Sequence, residues 1–299
     1  MSETLDRVAD VYPTRVSDGT SVIEREDPVV WGAAADGPMD QATLDGYDQK
    51  GYLTAEDFVT QGEVDAFRSE LYRLSHDPET RADERTIIEA RSQEVRTIFD
   101  VHRTNDVFAR IANDPRLVER ARQILGSDVY IHQSRVNFKP GFGGGDFYWH
   151  SDFETWHAED GMPRMRAVSI SISLTDNYSY NGPLMIMPGS HRSYISCAGE
   201  TPEDNYKSSL VMQGAGTPDE GTLEKFADRY GIDVLAGRAG SAIMFDSNCM
   251  HGSNGNITPL PRSNVFIVYN SVENTCVEPF AAPKRRPEFL GSRDFTPAG

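Results

Sequence analysis

The sequence predicts a mainly β fold, a β-sandwich or jelly roll with flanking α-helices packed outside one sheet. Two features carry this expectation. Helical patterns fill the first part of the chain, and after Gly126 it breaks into many short runs bounded by Gly, Pro, Asn or Asp. One of these runs, Val168-Ser-Ile170-Ser-Ile172-Ser-Leu174, alternates strictly, so four apolar side chains share one face of a strand.

Residues 1–40 are polar and interrupted by Pro13, Pro28 and Pro38, which reads as an extended arm wrapped over the domain, with disorder expected for about the first ten residues. Residues 41–126 read as mainly helical support. Thr54 and Asp57 have the spacing of a capping box with Asp in place of Glu or Gln, and Val64, Phe67, Leu71 and Leu74 recur at helical intervals up to a stop before Pro78. A second helix spans residues 115–125, capped by Asp114, with Pro115 in its first turn and Gly126 at its end. Strands are expected at 129–138, 167–174, 184–187, 241–245 and 264–270, within a jelly-roll core over 127–299. The stretch 211–238, rich in Gly, Asp and Glu, reads as a variable surface loop, with a lid as one use of it. A length of 299 residues fits one domain, and no repeats are evident.

Acidic residues outnumber basic ones by 46 to 29, for a formal charge of -17, which repels nucleic acid and anionic membrane surfaces and keeps a protein dispersed in high salt. No stretch approaches the roughly 20 apolar residues of a membrane span and no leader pattern is evident, so a cytoplasmic location is expected. Cys197, Cys249 and Cys276 are an odd number without metal-type spacing, which argues against a disulfide framework or structural zinc.

The chemistry concentrates in Phe147-Tyr-Trp-His150-Ser-Asp152-Phe-Glu-Thr155-Trp156-His157. In an extended segment His150 and Asp152 project from the same side and can grip one ion. His251, after an apolar strand, supplies a third ligand if the fold returns it to the same point. Two imidazoles and one carboxylate leave three open positions on an octahedron, the arrangement of non-haem Fe(II) oxygenases. The His-x-Asp pair alone describes a surface loop equally well. His157 is either a partner of the ligands or a solvated side chain, the latter being preferred, and His76, His102, His132 and His191 take structural readings. Such an iron ion calls for a 2-oxo acid that chelates through carboxylate and keto oxygens, and for O2 at the remaining position. The acid's distal carboxylate needs a cation. Arg262, eleven residues after His251, offers two parallel donors, with Ser253 adding a hydroxyl; apart from the metal motif, Arg262 reads as a solvated charge after Pro261.

The segments FYWHSDFETWHAEDGMPRMRA, NGPLMIMPGSHR and FDSNCMHGSNGNITPLPRSN resemble the ectoine hydroxylases, a branch of the phytanoyl-CoA dioxygenase-like superfamily, and the similarity runs from about Asp27 to the C-terminus. The resemblance implies a double-stranded β-helix, a homodimer, and conversion of ectoine to 5-hydroxyectoine with release of succinate and carbon dioxide. It implies iron at His150, Asp152 and His251, and 2-oxoglutarate beside Arg262, Ser253, Asn137, Ser169 and Phe99. Gln133, Arg135, Thr155, Trp156, Ala167, Phe245, Phe266 and Asn264 are implied to line the substrate cavity. Those types suit a small zwitterion: Arg135 for its carboxylate, Gln133 for a ring N–H, and Trp156 or Phe245 against a cyclic amidinium. Gln133, Arg135 and Asn137 fall on one side of their strand, as they would at a solvated sheet edge too. Two rivals stand beside this reading: a related hydroxylase of another small amino acid, and a non-catalytic jelly-roll protein that keeps the metal for structure.

Overall fold

Serine and apolar residues alternate along the strand that begins at Ala167, and both of its faces are buried, which is possible only between two packed layers. The computed structural model describes residues 8–16, 19–89, 92–210 and 214–299. Its strands, in chain order, are β1 (Ser21–Glu24), β2 (Tyr52–Ala55), β3 (Thr86–Ile88), β4 (Val95–Phe99), β5 (Val129–Lys139), β6 (Phe147–His150), β7 (Ala167–Ser173), β8 (Leu184–Ile186), β9 (Ser193–Ser196), β10 (Asp233–Leu235), β11 (Ala242–Asp246), β12 (His251–Ser253) and β13 (Arg262–Ser271). A seven-stranded antiparallel sheet has the order β2-β11-β7-β13-β5-β4-β3, a smaller one has β10-β8-β12-β6, and β1 pairs with β9. The result is the expected jelly roll.

On β7, Val168, Ile170 and Ile172 join an apolar cluster with Val64, Phe67 and Leu71 of the helix Gln61–His76 and Leu117, Val118 and Ile124 of the helix Pro115–Leu125. The helices cover the outer face of the large sheet, and Ser169, Ser171 and Ser173 face the barrel interior, where short side chains leave room. A β-bulge on β5 aims its polar residues. Val268 of β13 pairs with Gln133 and Tyr269 with Ile131, so His132 is the extra residue. Val129 and Ile131 belong to the helix-side cluster, whereas Gln133, Arg135 and Asn137, of the same numerical parity, line the interior. Without the bulge all five would point toward the helices.

The helix Pro115–Leu125 matches expectation, with the Asp114 carboxylate accepting from Arg116 N and Gly126 left-handed at φ 61°. The preceding helix does not begin at Thr54, which lies in β2 opposite Ile243 of β11. Its cap is Thr60: Glu63 N donates to the Thr60 hydroxyl at 3.3 Å and Thr60 N donates to the Glu63 carboxylate at 2.7 Å. A complete Thr-x-x-Glu box outcompetes the weaker Thr-x-x-Asp spacing while β2 is drawn into the sheet. Residues 41–126 therefore contribute β2, β3 and β4 as well as helices. The stretch 211–238 is likewise more ordered than a loop, holding the helix Glu220–Tyr230 and β10; residues 211–213 lie outside the described set. The arm is anchored where described: Tyr12 is fully buried and its hydroxyl donates to Asp27 at 2.9 Å. Most of the stretch expected to be disordered, residues 1–7, lies outside the described residues.

Thr60→Ala should lower stability by about 1 kcal/mol, read from the denaturant midpoint. The Glu63 carboxyl is pulled down from 4.5 to about 2, chiefly by its hydrogen bond to Arg116. A depressed carboxylate stabilises the fold fully above its unfolded value, and here that contribution should vanish as pH falls from about 4.5 through about 2. Wild type and Glu63→Gln should therefore differ by at most ~1 kcal/mol near neutrality, because the pair is partly solvated, and converge in acid.

Candidate metal centre and its two cavities

Pairing of the small sheet brings the two imidazoles together: in the antiparallel β6–β12 ladder His150 and His251 are direct partners. Their ring centroids lie 4.3 Å apart. The chain leaves the strand after His150, and Asp152 opens the short helix Asp152–Thr155 instead of continuing the strand, so its carboxylate reaches the imidazoles from a helix start. The outcome expected from two-residue spacing is reached by a different backbone. One ligand atom from each of the three residues lies within 4.8 Å of the other two.

The donor set fits a divalent metal. His150 Nδ1 is 2.6 Å from Tyr148 O and His251 Nδ1 is 3.0 Å from Cys249 O. A carbonyl oxygen can only accept, so each ring carries its proton on Nδ1 and turns the Nε2 lone pair toward Asp152, at 3.7 and 4.0 Å from its oxygens. Burial and the neighbouring His150 push His251 down to about 4, which keeps it neutral. Burial alone would raise the Asp152 carboxyl, but its interactions with His251, His150 and Arg135 outweigh that and lower the group below the usual carboxylate range, so it is ionised at neutral pH. Ser169 Oγ donates to the same carboxylate at 3.4 Å. Two imidazoles with Nδ1 committed to a carbonyl and Nε2 facing an ionised carboxylate form the donor set that a hard-to-borderline cation requires.

Two cavities meet here, sharing Arg135, Asn137, Phe147 and His150. The inner one holds Arg262, Ser253 and Asn137 together with His251. Arg262 is buried, its Nε has no hydrogen-bond partner among the described residues, and burial pushes its pKa down to about 10. Lys139, also buried, donates to Ser253 Oγ at 2.9 Å and to Asn254 O at 2.5 Å. Burial and then Arg262 drive the ammonium down to about 6. Among the described residues neither side chain makes an ion pair, and a guanidinium beside an amine that can be protonated forms a site for an anion.

The outer cavity is lined by Gln133, Arg135, Thr155, Trp156 and Phe99, together with Asp152 and His150. Arg135 lies 4.0 Å over the Phe266 ring and donates to Gln133 Oε1, while Gln133 Nε2 donates to Leu290 O at 2.6 Å. The structure distributes some residues differently from expectation. Asn264, Phe245 and Phe266 line the inner cavity beside Arg262, and Phe99 lines the outer one. Ala167 is buried in the apolar cluster of Trp156 and Phe245 and, like Ser169, lines neither cavity. His157 is not solvated. It is fully buried, with Nδ1 donating to Met162 O at 2.8 Å and the ring stacked 4.1 Å from Phe280.

Sequence reasoning missed Lys139, Ser171, Glu159 and Arg286 as cavity residues. Lys139 had a signal, since it continues the alternation of Gln133, Arg135 and Asn137 by one step. Glu159 and Arg286 had none, because their placement depends on distant segments.

The sequence matches the model of the family described as phytanoyl-CoA dioxygenase (PhyH) over residues 47–264. It is 61% identical to an ectoine dioxygenase of Streptomyces avermitilis over 291 residues, which cover 97% of this chain and 98% of that one. Among solved structures, EctD from S. alaskensis with 2-oxoglutarate and 5-hydroxyectoine superposes with a TM-score of 0.88 at 45% identity, covering 97% of each chain. The same protein with bound Fe gives 0.86 at 45% identity over the same share. A match of 61% identity over nearly the whole of both chains settles its kinship: it belongs to the phytanoyl-CoA dioxygenase family and, within it, to the ectoine dioxygenases.

Proposed function

We propose that this chain is an Fe(II)- and 2-oxoglutarate-dependent dioxygenase that hydroxylates ectoine to 5-hydroxyectoine, releasing succinate and carbon dioxide. The observation that carries this is that His150, Asp152 and His251 lie where a recess holding the unpaired Arg262 guanidinium and the Lys139 amine meets a second cavity walled by Arg135 and Trp156. Iron held by the three ligands supplies the activation of O2, coupled to oxidative decarboxylation of the 2-oxo acid.

The side chains bind, orient and exclude. Arg262 and Lys139 take the distal carboxylate of 2-oxoglutarate in the inner cavity, and Ser253 donates its hydroxyl. Asn137 Oδ1 already accepts from Thr97 at 3.0 Å, which turns its amide N–H groups toward the same space. Ser169 steadies Asp152 from behind. In the outer cavity Arg135, held by Gln133 and Phe266, meets the ectoine carboxylate, and Trp156 offers a flat wall to the cyclic amidinium. Thr155 lies beside them at the start of the π-helical turn. Holding one C–H bond at the metal is the protein's contribution to selectivity, and the aromatic walls of Phe99, Phe147 and Phe266 keep bulk water from it.

We further infer one oxygenase domain that works as a cytoplasmic homodimer in the osmotic stress response, ectoine being a compatible solute. The formal charge of -17 supports activity at high salt, and among the described residues no helix is long and apolar enough to cross a membrane.

Succinate release titrated against ectoine, proline and other free amino acids tests the substrate; absence of turnover with ectoine refutes the claim. His150→Ala or Asp152→Ala should abolish iron binding and turnover with the far-UV circular dichroism spectrum retained, as measured on metal-reconstituted protein. Arg262→Ala should raise KM for 2-oxoglutarate tens- to hundreds-fold, since a buried charge-assisted contact is worth about 1.5–3 kcal/mol. Lys139, faced by Arg262, Arg96, Asp146 and Glu89, is largely neutral above about 6 and must be charged to hold a carboxylate. Binding of 2-oxoglutarate should therefore take up a proton at neutral pH and weaken as pH rises from about 6. Calorimetry in buffers of different ionisation enthalpy reads this uptake, which Lys139→Met should remove.

A further inference from the structure

We infer that Glu159 accepts hydrogen bonds from the cationic ring of the substrate and is thereby a specificity-determining residue of the outer cavity; this rests on ectoine being that substrate. Glu159 lies in the π-helical turn Trp156–Asp160 that follows the helix bearing Asp152. A π turn adds one residue to the helical repeat, and such turns concentrate at functional sites. Here Thr155, Trp156 and Glu159 all line the same cavity.

The carboxylate is half committed. Glu159 Oε1 accepts from Arg15 Nη1 at 2.7 Å and from Asn205 Nδ2 at 2.8 Å. Among the described residues nothing donates to Oε2, although the residue is only 3% exposed. Arg15 cannot neutralise it fully. The Arg15 guanidinium is shared with Glu154, to which it donates twice, from Nε and Nη2 at 3.0 Å each, so one arginine faces two carboxylates. Arg286 donates to both oxygens of Asp160 at 2.9 and 2.6 Å, where His132 also bonds at 3.1 Å, and its charge is felt at Glu159 without a hydrogen bond; Asp152 belongs to the metal. Arg135 makes no ion pair among the described residues.

The outer cavity thus offers a guanidinium on β5 that makes no ion pair and, on the π turn, a carboxylate oxygen that has no donor among the described residues. Ectoine carries one carboxylate and one amidinium whose N–H groups need an acceptor. Gln133 is a poor candidate for that acceptor. Its carbonyl oxygen already accepts from Arg135 and its amide donates to Leu290 O, which makes it a support for Arg135. Glu159 Oε2 offers both a lone pair and a charge.

The test compares binding of ectoine with that of a neutral cyclic amide of the same ring size bearing the same carboxylate, by calorimetry on iron- and 2-oxoglutarate-loaded enzyme. Wild type should prefer ectoine by roughly 10- to 100-fold, the range of a charge-assisted hydrogen bond. Glu159→Gln should erase most of this preference by weakening ectoine alone, with iron content and KM for 2-oxoglutarate unchanged. Glu154→Gln, which removes the same charge from the Arg15 cluster outside the cavity, should keep it. A Glu159→Gln protein that retains the preference, or loses both ligands equally, overturns the assignment. Should that variant not fold, Glu159→Asp decides, because the shortened carboxylate must lower the preference if contact is direct, and an unchanged preference overturns it. Failure of the wild type to bind ectoine would refute the substrate reading itself, and the assignment with it.

Discussion

An ionised carboxylate buried between two imidazoles is the constraint around which the fold is arranged. Asp152 is costly to bury alone, and the arrangement persists because His150 and His251 are each held by a backbone carbonyl with Nε2 turned inward. The antiparallel pairing of β6 with β12 places the rings opposite one another. The short helix at Asp152 then brings the carboxylate back across the strand end. Backbone hydrogen bonding and turn geometry therefore set the metal site, and side-chain flexibility has little part in it.

Charge is kept inside the barrel and is sorted by cavity. Arg262 and Lys139 crowd the inner recess: burial lowers both, and Arg262 further suppresses protonation of Lys139, a tension that an anion bound there would relieve. Arg135 stands at the junction, flanked by the Phe266 ring and the Gln133 carbonyl, and contributes to keeping Asp152 ionised. The serine face of β7 matters for a steric reason as much as a polar one. Ser169 and Ser171 contact Asp152 and Asn264 with short side chains, leaving volume between the sheets that Val or Ile would have filled.

The arm and the C-terminal segment complete the outer cavity. Arg15, in a left-handed conformation at φ 55°, inserts between Glu154 and Glu159. Arg286 reaches Asp160 from the far end of the chain. Two segments remote in sequence thus clamp one π-helical turn, and Trp156 and Glu159 take their orientation from that clamp.

Much of this was legible in the residues, because it is local. The caps of the helix Pro115–Leu125, the alternation of β7, the nearness of His150 to Asp152 and that of Ser253 and Arg262 to His251 depend on short spacing, which a sequence displays directly, whereas the pairing of β6 with β12 joins the two groups. The division of labour between the cavities was not. Whether Gln133, Arg135 and Asn137 face the helices or the interior turns on a single bulge at His132, defined only by the pairing of β5 with β13. The exchange of Phe99 for Phe245, Phe266 and Asn264 between the cavities, and the arrival of Lys139, Glu159 and Arg286, follow from contacts between segments far apart in the chain. The sequence by itself determined which chemical groups are present and which local elements carry them; only the tertiary structure decided which groups share a cavity, because strand register and long-range pairing convert side-chain parity into direction.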